Sequence, residues 1–323
     1  VSPFEGVQGQ EAVVDVLQRA VASDRVASAY LFEGPSGVGK ERAALALATA
    51  VLRPSEAAAR RMAQGSHPDV RIFRPRETGK RNIPVDQLRK EILPVAQFAP
   101  FEAAAAFLVF PEADVSFPEH PPETANALLK TLEEPRPGVH FVLLSERPER
   151  LLPTIRSRSQ RLRFGRLTAA VLDGILRAHE IASPEARQAA IALSDGRADR
   201  ALALADGGAE ALLDAALALD EASVGGAGPS TRAAERLARG ELPTVEVLEA
   251  LTTFYRDVAA AALGMPDGSL AFHHHAPRIR ERAAGLGAAR AAARVEALAE
   301  AQVALERSGN PQIVLDAMLT GFA

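Results

Sequence analysis

One segment limits what this chain can fold into more than any other: Gly34-Pro35-Ser36-Gly37-Val38-Gly39-Lys40, a glycine loop set between two apolar patterns. Before it, Ala29-Tyr30-Leu31-Phe32 is a short apolar run that reads as a strand. Behind it, Ala44, Leu45, Leu47, Ala48 and Val51 recur at helical spacing. Gly34, Gly37 and Gly39 let backbone N–H groups converge on phosphate oxygens, and Lys40 supplies the neutralising charge. The helix opening at the loop adds favourable partial positive charge. A tight turn without a ligand would use the same glycines, but a strand before and a helix behind favour a phosphate loop.

Short apolar runs at 70–73, 107–110 and 141–144, and an alternating run at 160–164, read as further strands, with helical patterns between most of them. Strands alternating with helices imply an α/β unit with a mostly parallel sheet, ligands gathering at the strands' carboxyl ends. Val13, Val14, Val16, Leu17, Ala20 and Val21 mark an amphipathic helix ahead of the first strand. After about Leu167 no strand pattern remains, and the rest reads as helices separated by Gly and Pro breaks. Residues 225–230, Gly-Gly-Ala-Gly-Pro-Ser, read as a flexible connection. Asn310-Pro311 reads as an N-cap followed by a proline at the first helical position.

Composition excludes more than it selects. With 323 residues, 47% of them hydrophobic, the chain can bury cores for two or three domains. A net charge of −4 rules out a cation-coated protein yet leaves room for a local basic strip. The absence of cysteine removes disulfides and thiolate metal sites, and a cytoplasmic setting is the expectation. There is no apolar run of membrane-spanning length, and Val1-Ser2-Pro3-Phe4-Glu5 does not resemble a leader, so neither export nor insertion is expected.

The loop's surroundings depart from a working ATP site. The position after Lys40, where a Ser or Thr hydroxyl would hold magnesium, is Glu41. The strand at 107–110 runs into Pro111-Glu112-Ala113-Asp114, so Pro111 stands where a magnesium-binding Asp is expected. Glu112 survives as a candidate water-polarising base. With two magnesium contacts gone, the site reads as unable to hydrolyse ATP.

Further segments carry a resemblance. Gly9-Gln10, Ala27-Ser28-Ala29-Tyr30-Leu31-Phe32 and Asn126-Ala127-Leu128-Leu129-Lys130-Thr131-Leu132-Glu133-Glu134-Pro135 occur in order. They continue into Ser145-Glu146-Arg147-Pro148-Glu149-Arg150-Leu151-Leu152-Pro153-Thr154-Ile155-Arg156-Ser157-Arg158-Ser159-Gln160. Together they resemble the AAA+ subunits of the bacterial DNA polymerase III clamp loader, strongly over about residues 4–205 and weakly beyond. The resemblance implies an AAA+ P-loop domain with a parallel sheet over 1–166, a small helical lid over 167–207 and an all-α collar for oligomerisation over 208–323.

The same resemblance makes Ser145 a sensor 1 residue and Ser157-Arg158-Ser159 the family's Ser-Arg-Cys motif, with Ser in the third place. Arg158 is then an arginine finger that reaches a neighbour's γ-phosphate. Where ATP-hydrolysing members carry a sensor 2 arginine, Gly196-Arg197-Ala198-Asp199-Arg200-Ala201-Leu202 places Asp199, with Arg197 and Arg200 as alternative alignments. An impaired loop beside an intact finger resembles the delta-prime type more than gamma or tau. The implied partners are gamma/tau and delta subunits, the sliding clamp and primer–template DNA, in a nucleoid-associated cytoplasmic setting. The rival readings are an ATP-hydrolysing gamma/tau-type subunit and another P-loop ATPase.

No cofactor is required on this reading, although the loop leaves room for static ATP or ADP. Many members carry a four-cysteine zinc module, which a chain without cysteine cannot form. His67 in the corresponding stretch reads as a turn residue and the triplet at 273–275 as a loop, so no metal is expected. For DNA, Arg76, Lys80 and Arg81 in the basic segment 74–81 either neutralise backbone phosphates or belong to a solvated loop.

Overall fold

Strands that are apolar on both faces must be covered on both, and this chain covers them with helices from successive crossovers. The computed structural model describes residues 2–75, 82–118, 122–181, 183–240 and 242–322. They form two compact units, residues 1–168 and 169–323. In the first, β1 (Ala29–Glu33), β2 (Val70–Ile72), β3 (Ala106–Phe110), β4 (Val139–Ser145) and β5 (Gln160–Arg163) pair in parallel in the order β2-β3-β4-β1-β5. Every residue of β1 and β3 is buried.

Alternation along the strands sorts the core into two layers. Tyr30, Phe32, Phe107, Val109, Val142 and Leu144 pack with α1 (Glu11–Ala22), α2 (Lys40–Leu52) and α3 (Glu56–Ala63). Ala29, Leu31, Leu108, Phe110, Phe141 and Leu143 face the other way. They meet the π-helical stretch Leu88–Ile92, into which α4 (Val85–Gln87) leads, and α5 (Leu93–Gln97), α6 (Ala113–Ser116), α7 (Glu123–Glu133) and α8 (Pro153–Arg158). Pro94 has no N–H to return to the preceding turn, which accounts for the widened π-helical stretch just before it.

The second unit holds α9 (Ala169–Ala178), α10 (Pro184–Leu193), α11 (Ala198–Leu204), α12 (Gly208–Val224), α13 (Ala227–Arg239), α14 (Thr244–Ala262), α15 (Ala276–Glu306) and α16 (Pro311–Thr320), with no strand among its described residues. The fold class read from the sequence, an α/β unit with a parallel sheet followed by a helical region, is the one observed. The Asn310 side chain accepts from Ile313 N, capping α16 as its Asn-Pro signature predicts. Among the described residues no helix is long and apolar enough to cross a membrane.

Two readings change. Residues 225–230 are not a flexible connection: only Gly225 and Gly226 (φ 88°) separate α12 from α13, and Gly228, Pro229 and Ser230 are already helical. Pro229 sits in the first turn, where its missing N–H costs nothing, and Ser230 Oγ donates to Gly226 O. The triplet His273–His275 is a single 3-10 turn leading into α15, with His273 paired to Gln188.

A buried polar cluster ties α12, α14, α15 and the chain's last described residue together. Tyr255 donates its hydroxyl to Asp220 Oδ1 (2.5 Å), Arg282 Nε donates to the same oxygen (2.9 Å), and Arg294 donates to Tyr255 Oη (2.6 Å) and Phe322 O (2.5 Å). Burial first, and Asp220 second, push the Tyr255 phenol up to about 12. Its folded value exceeds the ordinary one of about 10, so its stabilising contribution is complete below pH ~10 and lost as pH rises toward the folded value. Tyr255→Phe, which leaves Asp220 and Arg294 short of a partner, is expected to cost about 1–3 kcal/mol. Urea denaturation at neutral pH measures that loss, and the variant should lack the wild type's decline above pH ~10.

Candidate functional site

The glycine loop leaves the carboxyl end of β1 where β4 ends beside it. Gly34 N donates to Ser145 O at 3.1 Å, and the register pairs Glu33 with Ser145. Gly34 stands at φ 149°, and a Cβ there would run into the carbonyl oxygen of Phe164, so only glycine fits. Gln10 braces the loop from behind. Its side chain donates to Gly165 O (2.7 Å) and Val38 O (3.3 Å) and accepts from Gly165 N (3.1 Å). Lys40 is buried, and its Nζ donates to Gly34 O (2.6 Å) and Pro35 O (2.5 Å). The ammonium thus sits against the loop it opens from, at the N-terminus of α2.

Glu41, one residue on, is bound to Arg74 beyond β2 (2.7 Å). Pro111 begins the turn after β3, and Glu112 follows it, half-buried, with its carbonyl accepting from Val115 N and Ser116 N. Ser145 Oγ donates to Asp114 Oδ1 (2.9 Å) and accepts from Arg147 N (3.2 Å). Parallel pairing therefore gathers Gly34, Gly37, Gly39, Lys40, Glu41, Glu112 and Ser145 at the carboxyl ends of β1, β3 and β4. The donor set does not fit a magnesium nucleotide: one expected ligand position is a carboxylate engaged by an arginine, and the other is a proline.

Arg158 lies elsewhere. It closes α8 and precedes β5, whose pairing with β1 runs from Gln160 beside Tyr30 to Arg163 beside Glu33. It therefore stands at the amino end of the strand whose carboxyl end carries the loop, about 15 Å away at ~3.3 Å per residue. Its Nη2 meets Glu133 Oε1 at 2.6 Å and its Nη1 donates to Thr154 O at 3.0 Å. At the loop end of β1, the buried Glu33 carboxylate is held by both Arg161, whose Nη2 lies at 3.0 Å, and Arg163 (3.8 Å). That carboxylate and its hydrogen bond hold the Arg161 guanidinium above its ordinary range.

The remaining candidates fall as follows. Asp199 is engaged by Arg197 (3.1 Å) and by Arg200 N (2.7 Å), while the Arg200 guanidinium turns to Glu249. His67 is buried and its Nε2 lies 3.0 Å from Glu102, which also binds Arg61 (2.5 Å). Next to it, Asp69 accepts backbone N–H bonds from Phe101, Glu102 and Ala103. Arg76, Lys80 and Arg81 lie outside the described residues. Arg74, Asp114, Glu133 and the bracing role of Gln10 were not anticipated. Their partners are 33, 31, 25 and 155 residues away, too far for any periodicity to signal.

Residues 9–168 match the family model described as "DNA polymerase III, delta subunit". The chain is 32% identical over 186 residues to DNA polymerase III subunit delta' of Bacillus subtilis, covering 55% of this chain and 54% of that one. It is 37% identical over 180 residues to subunit delta' of Pseudomonas aeruginosa, covering 53% of each. Against subunit tau of Bacillus subtilis it is 36% identical over 180 residues, covering 53% of this chain and 30% of the other. The matched stretch spans about half the length of the delta' relatives.

Removing Gln10's three bonds by Gln10→Ala is expected to lower stability by about 1–3 kcal/mol, since Gln10 itself and Val38 are buried. Glu41→Ala breaks only a partly exposed ion pair and should cost no more than about 1 kcal/mol. Urea denaturation of the two variants compares the brace with the pair directly, and equal losses would show that the loop is held some other way.

Proposed function

We propose, from the match of residues 9–168 to this family model and the likeness to the two delta' subunits, that the chain is a delta-prime-type subunit of the DNA polymerase III clamp loader and works as a non-hydrolysing member of the loader ring. Its part is to lend Arg158 to the ATP site of a neighbouring gamma or tau subunit while the ring places a sliding clamp on primed DNA. The partners on this reading are gamma/tau and delta subunits, the clamp and primer–template DNA held without sequence readout, in the nucleoid-associated cytoplasm. Residues 167–207 serve as a lid and 208–323 as the collar that assembles the ring.

The observation that carries this reading is the placement of Arg158. A guanidinium at the opposite end of β1 from its own glycine loop is badly placed to act on that loop and well placed to act on another chain. A planar, permanently charged fork suits the charge that develops on a transferring phosphoryl group. Glu41 engaged by Arg74, Pro111 in the turn after β3, and Asp199 at the sensor 2 position support the absence of intrinsic ATPase. No bound nucleotide of its own is required.

Reconstitution with gamma/tau and delta tests the role of Arg158. Arg158→Ala should leave assembly intact and lower the DNA- and clamp-stimulated ATPase rate by about 10³-fold or more if it acts as an arginine finger. An unchanged rate in an assembled ring sinks the assignment. Magnesium-dependent ATPase activity of the isolated chain, lost on Lys40→Ala, would instead mark it as a hydrolysing subunit.

A further inference from the structure

Glu133 is the last residue of α7, and the helix stops there because Glu134 leaves helical geometry (φ −124°) ahead of Pro135. A carboxylate at a helix C-terminus faces the partial negative charge of unpaired carbonyls, so it is disfavoured there unless a cation answers it. Arg158, the last residue of α8, is that cation. Two helix ends meet in a single ion pair of 2.6 Å, its side chains 35% and 46% exposed. Such a pair shifts an equilibrium by up to about five-fold, enough to set a resting orientation and weak enough to exchange.

Both terminal nitrogens of the guanidinium are engaged within the chain, Nη2 by Glu133 and Nη1 by Thr154 O. These nitrogens form the fork that would grip a phosphoryl group, so Arg158 has to leave Glu133 before both can serve one. A phosphoryl group, with more negative charge and more acceptor oxygens than a carboxylate, is the stronger partner once in reach. We infer that Glu133 is a positioning residue that parks Arg158 against its own chain, and that exchange of this carboxylate for a neighbour's phosphoryl oxygens is the step that engages the finger. This inference rests on the reading of Arg158 as a finger acting on another subunit.

The test uses the loader assembled from this chain with gamma/tau and delta subunits, its ATPase measured with and without primed DNA and clamp. Glu133→Gln keeps the shape and removes the charge. Its unstimulated rate should rise about two- to five-fold, with KM and the fully stimulated kcat unchanged. The wild type's unstimulated rate should climb with salt as the pair is screened, and the variant's should not. Glu134→Gln removes an equal charge one residue away and should behave as wild type.

The double variant Glu133→Gln, Arg158→Ala should match Arg158→Ala alone. A lower stimulated rate in Glu133→Gln, unchanged rates in both states, or the same rise in Glu134→Gln would each overturn the parking role. An Arg158→Ala loader with an undiminished stimulated rate would remove the finger reading itself, an outcome distinct from those three.

Discussion

β1 is hydrogen-bonded on both edges, to β4 and to β5, and that parallel pairing governs where the chain's chemistry lies. One end of the strand passes directly into the glycine loop. At the other end β5 enters the sheet, and Arg158 sits just before it. Because all three strands run the same way, loop and arginine are held at opposite ends of the sheet by backbone hydrogen bonds rather than by side-chain preference. The buried Glu33 carboxylate reinforces the arrangement by binding arginines of β5 one residue before the loop begins.

The loop keeps the backbone of a phosphate site while its side chains turn to one another. Lys40 meets loop carbonyls, Glu41 meets Arg74, and Ser145 meets Asp114. Each is a local donor–acceptor match, so the loop's shape draws support from within the protein. Gln10 completes this by spanning the loop and the segment after β5 with one side chain.

Much of this was legible in the residues. The apolar runs at 29–32, 107–110 and 141–144 became strands because burial on both faces demands near-continuous hydrophobicity. Glycine at position 34 fits the close approach of Phe164 O. What could not be read was pairing across distance. Glu133 and Arg158 stand 25 residues apart on different helices, and nothing in either segment specifies that their ends converge. The reading of residues 225–230 failed for a related reason: glycine and proline mark breaks, but proline in a first turn belongs inside the helix it begins.

By itself the sequence determined the class of fold, the position of the glycine loop, and that Glu41 and Pro111 stand where magnesium ligands are expected. These follow from local periodicity and from the chemistry of single side chains, which residue order carries directly. Only the tertiary structure decided that Glu41 is neutralised by Arg74, that Ser145 is held by Asp114 and that Arg158 rests on Glu133. Those partners are chosen by the order of strands in the sheet and by where helices end against it. An ion pair has a range of a few ångströms, and chain folding, not sequence spacing, sets which charges come that close.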